Sequence, residues 1–276
     1  MVAAGSEPLV DADGLPLSSL REINRLPLEV KESIYRELLP QELFDQFPIN
    51  RKTLTGPDGE GVVQFICPEG LGLARIDVRL RHNDRDSLFF VEIADTPFQQ
   101  MELSFCFVND PAAPRFAVDV DVDGRDNSFA TTRRNLLEEE RAMTAGLFPH
   151  QVRRGLGLFG KFFAHFEVFV ARLGIGLIVA EPLSYDNAIR YERYGFDYLA
   201  GKRLMLWIDN AFQPGGELTQ RLDGSTPFRR PGMETTLLGR SWAIHDGILG
   251  RPWDGMRIYK IPGVHAGINT FPENRR

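Results

Sequence analysis

The 276-residue chain has two cysteines, five histidines and no surplus of basic residues. Cys67 and Cys106 lie in strand-like runs without metal-ligand spacing, which argues against a disulfide framework and a zinc site. They read as buried thiols of a reducing compartment. His82, His150, His165, His245 and His265 are scattered with no HxxxH or HxxE pattern, so no metal site is expected. A net charge of -6 leaves no global electrostatic case for nucleic acid or an anionic membrane as partner. No apolar run approaches the ~18 residues of a membrane span. The opening MVAAGSEPLVDADG carries acids where a secretory leader has a basic region. A cytoplasmic protein is the expectation. There is no G-x-S-x-G elbow, and Ser241, His245 and Asp246 in SWAIHDG are close only in sequence, so a serine hydrolase is set aside.

What is present is ordinary for a folded enzyme-sized chain: 43% apolar residues, 25% charged, and 20 phenylalanines. Residues 1–20 read as a flexible lead-in, rich in small and acidic residues. LPLEVKESIYRELLP, with Pro27 at its start and Pro40 at its stop, predicts a short amphipathic helix. From 62 to 124 the period changes to two in VVQFICP, LARIDVRL, SLFFVEIAD, QMELSFCFV and RFAVDVDV. Five strands with short links predict an antiparallel sheet. Helices are predicted at 131–146, over LFGKFFAHFEVFVARLG, where Leu158, Phe162, Phe166, Phe169 and Leu173 share a face, and over YDNAIRYERYGF. IGLIVAEP reads as a buried strand and DYLAGKRLMLWID as another. The tail, with SWAIHDG and MRIYKIPG, reads as a loop-rich C-terminal extension holding one or two strands. The expected class is mixed α/β (α+β): a mostly antiparallel central sheet flanked by helices. Residues 21–210 form the domain, and 211–276 pack on it as a cap.

The stretch FAVDVDVDGRDN places an aspartate at every second position. A calcium loop starting at Asp119 would need its bidentate Glu at the twelfth position, where Ala130 stands, and a helix before it. A strand ending in an Asp-Gly turn fits better, with Val118, Val120 and Val122 on one face and Asp119, Asp121 and Asp123 on the other. That carboxylate face is either solvated or chemically used. Glu92, Asp95 and Glu102 also alternate with large apolar residues, as on an exposed sheet face or the lining of a substrate cavity.

Residues 147–198 resemble the GNAT superfamily of acyl-CoA-dependent N-acyltransferases. The segment P149-H-Q-V-R-R-G-L-G157 is similar to that family's Arg/Gln-x-x-Gly-x-Gly/Ala loop, and N187-A-I-R-Y-E-R-Y-G-F196 to its later Tyr-Glu-x-x-Gly-Phe helix. Val152 stands where the family usually has Arg or Gln, and the helix at 131–146 is extra. The resemblance implies that Val152, Arg153, Arg154, Gly155, Leu156 and Gly157 hold the pyrophosphate of coenzyme A. Backbone N–H groups at a helix start suit that task; the plainer alternative is a turn with two solvated arginines. His150 lies beside this loop. Tyr191 falls where many members place the general acid toward the leaving thiolate, and the alternative is aromatic packing. Asn187 is expected either on the cofactor arm or as a helix cap. In this reading acyl-CoA is a cosubstrate rather than a resident cofactor, the donor being a CoA or acyl-carrier-protein thioester and the acceptor a primary amine. Asp121 or Asp123 would draw the amine or serve as base. A non-catalytic module binding an acyl thioester or other small ligand is the alternative function.

Overall fold

In a computed structural model the described residues are 7–127 and 132–272. The helices found among them are α1 (Leu20–Ile23), α2 (Leu28–Arg36), α3 (Gln41–Gln46), α4 (Leu136–Thr144), α5 (Phe159–Arg172), α6 (Tyr185–Arg193), α7 (Lys202–Ala211), α8 (Glu217–Gln220) and α9 (Leu237–His245). The strands are β1 (Val63–Ile66), β2 (Leu73–Val78), β3 (Phe89–Asp95), β4 (Met101–Val108), β5 (Ile178–Ala180), β6 (Asp197–Ala200) and β7 (Arg257–Lys260). They form one sheet of order β1-β2-β3-β4-β5-β7-β6. The pairs β1–β2, β2–β3 and β3–β4 are antiparallel, and β4–β5 is parallel. The protein is therefore mixed α/β with a mostly antiparallel sheet and flanking helices. Among the described residues no helix is long and apolar enough to cross a membrane.

The chain packs as two compact units. One comprises Met1–Ala112, Gly155–Ala180 and Tyr259–His265, the other Ala113–Arg154, Glu181–Ile258 and Ala266–Arg276. In the first unit, alternation along β2, β3 and β4 buries Ala74, Ile76, Val78, Phe89, Val91, Ile93, Met101 and Leu103. Helix α5 meets this core with Phe162, Phe166 and Phe169, spaced by four and three so that they share one stripe. Phe162 lies edge-on to Phe89 at 5.5 Å between centroids, and Phe166 stacks on Phe162 at 5.5 Å. Residues 7–20 are part of this unit: Leu9 and Leu17 are buried, and the Leu9 amide donates to the Arg172 carbonyl at 3.2 Å. The second unit has its own core of Phe116, Val118, Ala142, Met143, Leu147, Phe228 and Trp242.

Two local expectations are overturned. RFAVDVDV is not a strand of the sheet. It has one isolated antiparallel bridge, Val120 to Asp126, around a tight turn, with Val118 buried and Val122 exposed. Its valines therefore do not share a face. DYLAGKRLMLWID is a strand only over β6. After Gly201, at φ 93°, it becomes α7, because Met205 and Ile208 bury at helical rather than strand spacing. In the tail SWAIH ends α9, with Trp242, Ala243 and Ile244 buried, and MRIYKIPG supplies β7 as its strand. The predicted helix at 131–146 is found as α4, and residues 128–131 lie outside the described residues.

Phe166 is fully buried, so Phe166→Ala is expected to cost about 3–5 kcal/mol through lost burial and the cavity left behind. A chemical-denaturation midpoint read on the first unit's transition checks this.

Candidate functional site

Within the first unit the geometry centres on the parallel pair. Pairing of β4 with β5 comprises Met101–Ile178 and Glu102–Val179, and the Met101 amide donates to the Leu177 carbonyl at 3.0 Å. Beyond Glu102 the eight-residue β4 runs on past the end of β5, which stops at Ala180. At the same place β4 carries a bulge. Glu92 faces Phe105 and Ile93 faces Leu103, leaving Ser104 as the extra residue. Ser104 donates its hydroxyl to Glu102 Oε1 at 3.2 Å. The pairing thus ends at a bulge whose backbone leaves the ladder with β3, flanked by a hydroxyl and a half-buried carboxylate.

The glycine turn lies against the far end of the same strand. A Cβ on Gly155 would stand 3.0 Å from the Val108 carbonyl oxygen, closer than an ordinary contact. Gly157 takes φ 73°, which favours glycine. Leu158 then caps the 14-residue α5 with no side-chain cap bond and no acid in its first turn. Leu156 is half-buried, and Gly155 and Gly157 are exposed. The open end of the β4–β5 pair is therefore bordered by exposed glycine backbone and the positive end of a long helix, an arrangement suited to an anion.

The other half of the predicted loop belongs to the second unit and has different work. Val152 packs against the core around Phe116 and Trp242, and its carbonyl accepts from the Phe116 amide at 2.8 Å. Arg153 donates through Nη1 to the Ala113 carbonyl. Both side chains thus tie the loop down. Arg154 is exposed.

Asp121 is a turn residue: its Oδ1 accepts from the amides of Asp123 at 2.9 Å and Arg125 at 3.0 Å. These bonds, that of Arg125 foremost, hold the Asp121 carboxyl below the usual range. Asp119 pairs with Arg115 at 2.6 Å, and exposed Asp123 with Arg133 at 3.0 Å. None of the three lies on a strand of the sheet. Asp95 accepts from the amides of Leu20 at 2.9 Å and Arg21 at 3.0 Å, fixing the start of α1, and Glu92 pairs with Arg75. Glu102 is left as the carboxylate of β4. The sequence marked it only as one of three acids on alternate positions, since nothing in MELSF announces a bulge.

In the second unit, α6 carries Asn187 and Tyr191 one turn apart, both half-buried. The N-cap of α6 is Ser184, so Asn187 lies inside the helix and is not its cap. Tyr191 meets the ring of Phe196 edge-on at 4.9 Å. Glu192 is a buried structural centre. It accepts from Tyr198 Oη at 2.5 Å, from the Thr270 hydroxyl at 2.6 Å and from the Thr270 amide at 2.8 Å. In Tyr-Glu-x-x-Gly-Phe the glutamate thus anchors the chain end. A shallow depression of about 430 Å³ beside α4 is lined by Phe116, Leu137, Glu140, Arg141, Thr144 and Ala145, none of them a predicted site residue.

No family model matches the sequence, and no curated protein or solved structure matches it.

The Asp121 turn has a pH signature. A carboxyl held below its ordinary pKa stabilises the fold fully above about pH 4, and that contribution is lost as pH falls through the lower folded value. Asp121→Ala is expected to lower the melting temperature at pH 7, with the difference from wild type shrinking toward pH ~2. Thermal melts across that range check it.

Proposed function

We propose that the protein is an N-acyltransferase of the GNAT kind, transferring an acyl group from a CoA or carrier-protein thioester to a primary amine. The observation that carries this reading is the parallel β4–β5 pair that parts after two residues, with the turn Gly155–Leu156–Gly157 and the start of α5 at its open end. A slot between separating strands offers unpaired backbone groups to the amide-bearing arm of a pantetheine, and the glycine turn offers N–H groups to its phosphates. Exposed Arg154 adds charge there.

In the proposed reaction the amine nitrogen attacks the thioester carbonyl carbon. The bulged backbone at Ser104 faces the oxyanion of the tetrahedral adduct with an N–H. Glu102 takes a proton from the nitrogen, directly or through water. The C–S bond breaks, the amide forms, and the thiolate leaves as its thiol with a proton from solvent. A second reading, a non-catalytic module that holds a thioester, is favoured by one observation. Val152 and Arg153 serve packing and backbone contacts, leaving Arg154 as the loop's exposed cation.

Coenzyme A and acetyl-CoA are expected to raise the melting temperature, and thiol release with a panel of primary amines is expected to follow. Arg154→Ala should weaken binding about tenfold, the loss of one charge-assisted contact of roughly 1.4 kcal/mol. Glu102→Gln should lower kcat at least ~100-fold with binding retained, the usual scale for a general base. Stabilisation without thiol release would leave the binding module. No stabilisation by any thioester would remove both readings.

A further inference from the structure

The second unit contains a partly buried charged cluster around His150 that the proposed chemistry does not use. His150 sits in the turn Phe148–Gln151 at φ 68°, a left-handed conformation uncommon for a residue with a side chain. Its ring meets that of His245 edge-on at 4.8 Å. His245, from α9, contacts Glu139 Oε1 of α4 through Nε2 at 3.2 Å. Glu139 is 1% exposed and receives Arg134 Nε at 2.9 Å. Arg134 also reaches Asp246 at 2.9 Å, and Asp246 takes Arg229 at 2.8 Å and the Thr226 hydroxyl at 2.8 Å.

Each element around the cluster presents charge. Glu139 comes from α4, Arg134 from the segment before it, His245 from α9 and Asp246 just past its end. From α6, buried Asp186 feels His245, and Arg190 lies over the Phe148 ring at 4.4 Å. Burial works to raise the Glu139 carboxyl, but the bonds from His245 and Arg134 outweigh it and hold it below the usual range. Burial, then the nearness of His245, pushes His150 down to about 4, with Glu139 acting the other way and Arg134 reinforcing the fall. The ring is thus seated neutral, and a proton there has a cationic side and a histidine to oppose it.

The segment it seats is the approach to the glycine turn. The Gln151 amide donates to the Phe148 carbonyl at 3.2 Å, and the Val152 carbonyl accepts from the Phe116 amide at 2.8 Å. The chain then runs through Arg153 and Arg154 directly into Gly155.

We propose that His150 is a proton-operated latch: seated neutral, it holds Phe148–Arg154 in place, and its protonation releases that segment and loosens the glycine turn's hold on the thioester donor. The regulatory half rests on the reading of that turn as the donor's phosphate site; the release itself does not. Stability contributed by a seated neutral histidine is complete above its free pKa near 6.5 and is lost as pH falls toward the seated value. A ring that binds its proton at about 6.5 when free and about 4 when seated multiplies the opening equilibrium roughly 30-fold between about pH 7.5 and pH 5.

Amide exchange of Phe116 and Gln151, corrected for its intrinsic pH dependence, reads the opening. In the wild-type chain the protection of both is expected to fall roughly 30-fold over that range. In His150→Asn, which tolerates the left-handed conformation and does not titrate, it should stay flat. Coenzyme A affinity measured at the two pH values should fall in the wild type and not in the variant. Equal protection at both pH values, or the same fall in His150→Asn, overturns the latch. Should that variant not fold, titration of the His150 ring protons by NMR in the wild type decides: a midpoint near that of free histidine overturns it. If coenzyme A binds at neither pH while exchange follows the proton, the donor-site reading fails and the latch stands.

Discussion

A parallel pair of strands cannot be closed by a tight turn, and joining β4 to β5 as parallel neighbours obliges the chain to leave the sheet and return. Everything of functional interest hangs on that return. It brings in the glycine turn at Gly155–Gly157, then α5, whose phenylalanines cover the sheet face built by β2, β3 and β4. The partnership lasts only two residue pairs, and the remaining length of β4 runs beyond β5. The bulge at Ser104 falls at the point of parting, and Glu102 sits at the last shared pair.

The second unit shows a different economy. Beside its apolar core it buries several charges, each compensated. Glu139 has Arg134 and His245, Asp209 has Arg240 at 3.1 Å, and Glu192 collects three donors. Arg240 also lies over the rings of Phe212 and Phe271, at 5.1 Å and 4.8 Å. Buried ions of this kind add little net stability, but removing one partner leaves a charge with nothing to answer it. Such networks therefore fix geometry more than they add stability. Glu192 is the clearest instance, joining α6, β6 and the chain end at Thr270.

The regular elements were legible where one periodicity dominated. The stripe Phe162–Phe166–Phe169 and the alternation of SLFFVEIAD are both legible because burial on one face dictates the spacing. FAVDVDVDG satisfied the same rule and failed. An aspartate can hydrogen-bond nearby amides of its own chain, and Asp121 does so with Asp123 and Arg125, so the pattern was met by a turn instead of a ladder. KRLMLWID failed for a related reason: a short apolar run suits either period, and Gly201 decided for the helix.

The sequence by itself determined the class of the fold, the positions of α5 and α6, and the glycines at 155 and 157, because these depend on local spacing and backbone freedom. Tertiary structure alone decided which acid stands where the strands part. Glu102, Asp95 and Glu92 are equivalent on paper, alternating with apolar neighbours. In the folded chain one caps α1, one pairs with Arg75, and one lies beside the bulge. The same holds for the loop Val152–Gly157. A motif read as one unit is divided by packing, its first residues drawn into a core by Phe116 and Ala113, its last left as exposed backbone against the end of β4. Contacts between residues tens of positions apart make that division, and no local pattern encodes them.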